Sequence, residues 1–188
     1  MKTTQLTFIL FVLISLFTYS SCTKDGDIPD TVEDGTMTAK IDGQRFESKV
    51  AIGVIDPDEE GLFSIAGTKE ENIDEANSGL GISFLYDPEI PIEEGTYNSS
   101  DLDCFNSDEI CGFLFYIPEN QSTSDPDEEI SYISFGEDAV TNITITSIDH
   151  RIGGHVMGTF SGTLLYEDDE ENITTVTITE GQFNVKIE

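Results

Sequence analysis

The strict alternation near the C-terminus constrains this chain most. Val156, Gly158, Phe160, Gly162, Leu164 and Tyr166 fall on one side of an extended chain, with Thr159, Ser161 and Thr163 on the other. Side chains in a strand point to opposite faces with a period of two, so this stretch reads as a strand with one buried face. Val176 and Ile178 continue the pattern, and so do Phe183, Val185 and Ile187, but the inward parity flips between Ile178 and Phe183. Gly181 lies at the flip. It fits a β-bulge in one long bent strand better than a two-residue hairpin at Glu180-Gly181.

The same period recurs upstream. Met37, Ala39 and Ile41 alternate with polar residues, and Asp42-Gly43 is a strong hairpin signal. The return strand is expected to carry Phe46, Ser48, Val50, Ile52 and Val54 on one face. Phe63 and Ile65 mark a third strand, and Leu80, Ile82, Phe84 and Tyr86 a fourth. Residues 68–78 read as a polar loop, and the Pro-rich stretch from Asp87 to Pro91 cannot lie inside a central strand. Gly95 to Tyr97 begins a short strand. Gly112 to Ile117 is apolar on both faces, as in a strand covered on both sides. Ile130 to Phe135 reads as a strand with no clear inward face, and Ile143 and Ile145 share a face. About ten short strands without a convincing helix predict an all-β domain over residues 36–188, either a single antiparallel β-sandwich or a partly open barrel.

The first residues are not part of that domain. Lys2 precedes an apolar run from Leu6 to Tyr19, too short to span a bilayer as a permanent helix. A basic start, a short apolar core and small residues before a cut mark a secretory signal over residues 1–21. Ser20-Ser21-Cys22 resembles the lipobox of bacterial lipoproteins, in which the cysteine is acylated and becomes the mature N-terminus. Tyr19 stands where that family prefers Leu, a looseness common in Bacteroidota. The resemblance implies several acyl chains on Cys22, hence lasting membrane attachment. Thr23-Lys24-Asp25-Gly26-Asp27 loosely resembles the export tag of surface lipoproteins in the same lineage. The expected address is the outer membrane, surface-exposed or otherwise facing the periplasm. Residues 22–35 then form the lipidated cysteine and a flexible acidic tether. Within it, Asp30-Thr31-Val32 resembles the pattern at which Bacteroidota O-glycosylate exported proteins, which makes Thr31 a candidate. Sequons at Asn98, Asn120, Asn142 and Asn172 carry little weight behind a bacterial signal.

The domain itself also resembles a group of Bacteroidota lipoproteins of unassigned function. The likeness rests on Met37-Thr-Ala-Lys-Ile-Asp-Gly-Gln-Arg-Phe46, on Gly158-Thr-Phe-Ser-Gly-Thr163 and on Val176-Thr-Ile-Thr-Glu-Gly-Gln-Phe183. It implies the compartment and the β fold, and brings no catalytic residues.

Charge narrows the partners. The chain holds 38 acids against 8 bases, a net charge of −30, which opposes nucleic acid and anionic lipid head groups. Cys104 and Cys111 remain once Cys22 is assigned to the lipid. In an oxidising compartment an even remainder reads as a disulfide. Without a nearby His or further Cys the pair lacks the four ligands of a structural zinc site.

Three acidic clusters, Asp56 to Glu60, Asp125 to Glu129 and Glu167 to Glu171, read chiefly as solvated turns. Asp56, Asp58 and Glu60 begin like a calcium-binding EF-hand loop, but Gly67 stands at the twelfth position in place of the bidentate Glu. His150 and His155 are the only histidines. Their spacing keeps them off one strand face, and they meet only across a hairpin. No nucleophile elbow or phosphate-cradling glycine loop is present. Acids are too plentiful for a glycosidase-type carboxylate pair to stand out.

The expected function is a non-catalytic, lipid-anchored binding or accessory module. Its partner would be a protein or glycan, met through the loops around 87–110 and 118–129. The alternative is a lipocalin-like carrier of a small apolar ligand, with Phe84, Phe113, Phe115 and Phe160 as candidate lining. A carboxylate-based hydrolase comes third.

Overall fold

The computed structural model describes residues 32–55, 61–73, 76–98, 110–119, 130–136, 138–168 and 170–188. Eleven strands occur among them. They are β1 (Thr36–Ile41), β2 (Gln44–Glu47), β3 (Val50–Ile55), β4 (Leu62–Thr68), β5 (Gly79–Leu85), β6 (Gly95–Tyr97), β7 (Cys111–Ile117), β8 (Tyr132–Ile133), β9 (Val140–Ile148), β10 (His155–Glu167) and β11 (Ile173–Ile187). They form one sheet in the order β2-β1-β11-β3-β4-β5-β7-β8-β10-β9-β6, and β11 also pairs with β10. All pairings are antiparallel except β11 with β3. The extra β10–β11 pairing curls the sheet over itself. The closure is thin, since β10 meets β8 at one residue pair and β11 meets β3 at two. The fold is therefore all-β and sandwich-like, and not a clean barrel.

One core fills the fold. Phe63, Ile65, Leu80, Ile82, Phe84, Leu114, Ile143, Leu164, Ile178 and Phe183 are among its fully buried side chains. Each contributes about 1.5–3 kcal/mol through removal from water. Phe63 and Phe84 stack at 6.0 Å, and Tyr97 meets the Phe84 ring edge-on at 5.4 Å. The expected alternation holds in β9, β10 and β11; in β1 and β5 the expected residues face the core, but Thr38, Gly81 and Ser83 are buried as well. Asp42 and Gly43 both take positive φ (48° and 77°), as a tight hairpin turn with right-handed twist requires.

The bulge in β11 is present. Pairing to β10 shifts between Phe160 and Gly162, and pairing to β1 between Thr38 and Lys40. The left-handed residue is Glu180 (φ 53°), stabilised by an ion pair to Lys40 at 2.8 Å. Gly181 serves close approach instead, for a Cβ there would stand 2.5 Å from the Phe160 carbonyl oxygen.

Three expectations are corrected. In β3 the inward residues are Ala51 and Gly53, while Val54 is 38% exposed. The chain changes partners at Ser48 and Lys49, whose N–H groups bond Met37 and Thr68 respectively, and the parity resets there. Only small residues fit inward, because Phe63 and Ile187 already occupy the space beside Gly53. The expected strand from Ile130 to Phe135 shrinks to the two residues of β8. The end of the tether is also docked. Val32 is buried, its carbonyl accepts from Asn184 Nδ2 at 3.2 Å, and Gly35 N donates to Asn184 O at 2.8 Å. The packed domain thus reaches back at least to Val32. In β7, Leu114 is buried, and Phe113 and Phe115 cover the opposite face. Phe115 lies over Gly81, and Phe113 packs on Phe135 at 4.9 Å.

Candidate binding cleft

A concavity lined by charged and aromatic side chains opens at one end of the core. It forms where the β1–β2 hairpin, the chain after β4 and the end of β7 come together. A cavity of about 200 Å³ is lined there by Asp42, Arg45, Phe46, Lys69, Tyr116 and Glu119, among others. A second cavity of about 400 Å³ shares Lys69, Ser78 and Glu119 with it and adds Glu70 and Asn77. The two therefore make one continuous cleft.

Its charges are mutually matched. Lys69 Nζ lies 2.9 Å from Glu119 Oε1 and 5.6 Å above the Phe46 ring. Arg45 pairs with Glu47 at 2.9 Å. Asp42 accepts the Thr177 N–H at 2.9 Å, so the hairpin turn is pinned to β11. Burial, then Glu119, Tyr132 and Asp42, pushes the Tyr116 phenol above its ordinary value.

Tyr116 also begins a row. Cross-strand register sets Tyr116 opposite Tyr132 and places Tyr166 next, on β10. Ring centroids step by 6.2 and then 5.8 Å, each ring tilted on its neighbour and half-buried. Thr174 Oγ1 approaches the Tyr132 hydroxyl at 3.5 Å. No sequence motif announces this site. Its residues come from six segments, and only register assembles them.

A separate cavity of about 240 Å³ opens at the other end of the core. Ile55, Tyr86, Pro88, Pro91, Ile92 and His150 contribute to it. Of the two loop regions expected to bind, the first feeds this cavity through Pro88 to Ile92, and the second reaches the cleft through Glu119.

The remaining candidates disperse. Cys22, Thr31, Cys104, Asp56, Asp58 and Glu60 lie outside the described residues, as do Asn120 and the cluster from Asp125 to Glu129. Cys111 is disulfide-bonded and buried at the start of β7. His150 and His155 do not form a joint site. His150 faces the second cavity, while His155 Nδ1 lies 3.1 Å from Asp34 Oδ1. Between them, Arg151 grips Asp149 with bonds of 2.6, 2.9 and 3.2 Å and draws that carboxyl down to about 2. In the third acidic cluster, Asp168 is used by its own turn. It accepts from Asn172 side chain and backbone and from the Glu170 N–H, which lowers its pKa. Among the described residues, no group of three or more His, Cys, Asp and Glu is placed to hold a metal ion.

No family model matches the chain, and comparison with curated proteins and with solved structures finds no relative.

Proposed function

We propose that this protein is a lipid-anchored, non-catalytic binding or accessory module of the bacterial envelope. The lipid on Cys22 would hold it at the outer membrane, and the domain would present its loops to a protein or glycan. The observation that carries the reading is the packed interior beside an open end-cleft. Phe63, Phe84 and Phe183 are almost fully buried in the core, and the described cavities open at its ends. A lipocalin-like carrier needs an enclosed void of about 300 Å³ or more, and the candidate lining residues are spent otherwise. Phe84 and Phe160 are core, and Phe113 and Phe115 lie on the opposite face of β7. A hydrolase reading draws no support from the described carboxylates. Those of the cleft pair with Lys69 or a backbone N–H, and the two with lowered pKa values serve turns.

The address and the module are tested separately. Cys22→Ala should move the protein from the membrane fraction to the soluble exported fraction, and retention after detergent-free washing would refute the lipid anchor. Cross-linking on intact cells should recover a defined envelope partner. Recovery of none, together with no binding to isolated cell-wall or surface glycans, would refute the module.

A further inference from the structure

We infer that the cleft and the tyrosine row form a binding site for a neutral oligosaccharide. The inference rests on the binding-module reading and names its ligand class.

Charge supplies the first argument. The protein is strongly acidic overall, while the cleft sets Lys69 and Arg45 against Asp42, Glu119 and Glu70, and Glu70 Oε1 already accepts the Asn77 N–H at 3.1 Å. Lys69 is occupied by Glu119 and the Phe46 ring, and Arg45 by Glu47. No uncommitted cation waits for an anionic ligand, which the net charge would repel in any case. A basic peptide would be drawn to the protein as a whole, but here it would meet two cations and carboxylates already in use.

The second argument is the mixture of surfaces. Sugars offer a hydroxyl rim and an apolar C–H face. The cleft offers the amide of Gln44 and the hydroxyl of Ser78 for the rim. Tyr116, Tyr132 and Tyr166 are half-buried, Tyr116 and Tyr132 packed against the core, and what remains of each ring joins apolar surface to a polar tip for the other side. Their steps of 6.2 and 5.8 Å are comparable to the length of one pyranose unit. A row on adjacent strands suits a chain of sugars running across β7, β8 and β10. Backbone pairing holds the rings in place, so little conformational freedom is lost on binding.

The fold provides its own reporter. The chain has no tryptophan and six tyrosines, three of them in the row, so tyrosine emission reads the site directly. The test titrates the full chain with neutral hexasaccharides of glucose, xylose, mannose and galactose, followed by emission and calorimetry, with oligolysine as the comparison. The expected result is saturable binding to at least one hexasaccharide, little changed by roughly half-molar salt. Tyr132→Ala and Tyr166→Ala should each weaken it about tenfold. Tyr132→Phe keeps the ring face and should stay within roughly threefold of the parent. Circular dichroism of each variant separates loss of the site from loss of the fold. Absence of saturable binding to every hexasaccharide at millimolar concentration overturns the inference, as does binding unaffected by both Ala variants. Salt-sensitive binding of oligolysine alone also overturns it, while leaving the binding-module reading intact. Failure of the cross-linking experiment bears on the module and not on the sugar.

Discussion

Replacing Ser134 by Ala should cost this protein far more than its small size suggests. Ser134 is fully buried just past the end of β8. Its Oγ accepts the Leu114 N–H at 2.7 Å and the Thr141 hydroxyl at 2.6 Å, while its own N–H donates to Leu114 O at 3.0 Å. The side chain thus continues the pairing of β7 where β8 has ended and ties both to β9. In Ser134→Ala the Leu114 N–H is left buried without a partner, at about 1–3 kcal/mol. The Thr141 hydroxyl loses its shorter bond and keeps only a weak one to Ser134 O at 3.4 Å. A loss of about 2–3 kcal/mol is expected, which lowers Tm by about 5–10 °C in a domain of this size. Urea unfolding followed by tyrosine emission measures it. Ser161→Ala, on the outward face of β10, should stay within about 0.5 kcal/mol of the parent. Thr141→Val removes only the hydroxyl that would be orphaned, so Ser134→Ala should cost less in a Thr141→Val background, with a coupling of about 0.5 kcal/mol or more. A Ser134→Ala loss within about 0.5 kcal/mol of zero, or strict additivity with Thr141→Val, would refute the reasoning.

The β11 bulge predicts unequal effects at neighbouring residues. Gly181→Ala drives a Cβ toward the Phe160 carbonyl and ring and should cost about 1–3 kcal/mol. Glu180→Gly relieves a positive φ but loses an exposed ion pair, so stability should change by less than about 1 kcal/mol. At Asp149, Arg151→Ala should return the carboxyl from about 2 toward its ordinary 3.8, read by carbon NMR across an acid titration. The depressed value means that the parent's Asp149–Arg151 contact is fully formed above the ordinary carboxyl range and is lost as pH falls toward 2; an unchanged titration in Arg151→Ala would assign the shift elsewhere. Reducing the disulfide at Cys111 should lower stability by roughly 2–3 kcal/mol if it closes the short loop to Cys104. Peptide mapping that finds another partner for Cys111, or no change on reduction, would exclude that loop.

Legibility followed burial on one face only. Where a strand has a wet side, as in β9, β10 and β11, alternation fixes its parity, and even the β11 bulge can be read from a parity flip. In β3 both faces are apolar, and size misleads. Val50, Ile52 and Val54 look like core beside Ala51 and Gly53, yet the interior is already filled by Phe63 and Ile187, and only small residues fit. In β8 the pairing ends after Ile133 because a serine side chain takes over the backbone's role. Periodicity has no means of registering such a substitution. The docking of residues 32–35 was hidden for a related reason. One buried valine and bonds to the Asn184 side chain and backbone hold the segment, and none of these alters composition.

The candidate site was illegible for a different reason, and that reason bears on what kind of site it is. Catalytic and metal sites often leave local signatures, because the chemistry demands fixed residue types on neighbouring positions. Here Asp42, Lys69, Tyr116, Glu119, Tyr132 and Tyr166 are strewn along the chain and meet only through the register of β7, β8 and β10 and the turn between β1 and β2. What they share in sequence is position: Tyr116, Tyr132 and Tyr166 each sit within a residue of a strand end, where a ring can rest on the core and keep its hydroxyl in water. Under the proposal, a surface built in this way would tolerate variation in any one residue and recognise shape and hydroxyl pattern through several weak contacts. The proposal therefore stands or falls on Tyr132 and Tyr166, neither of which lines either cavity of the cleft.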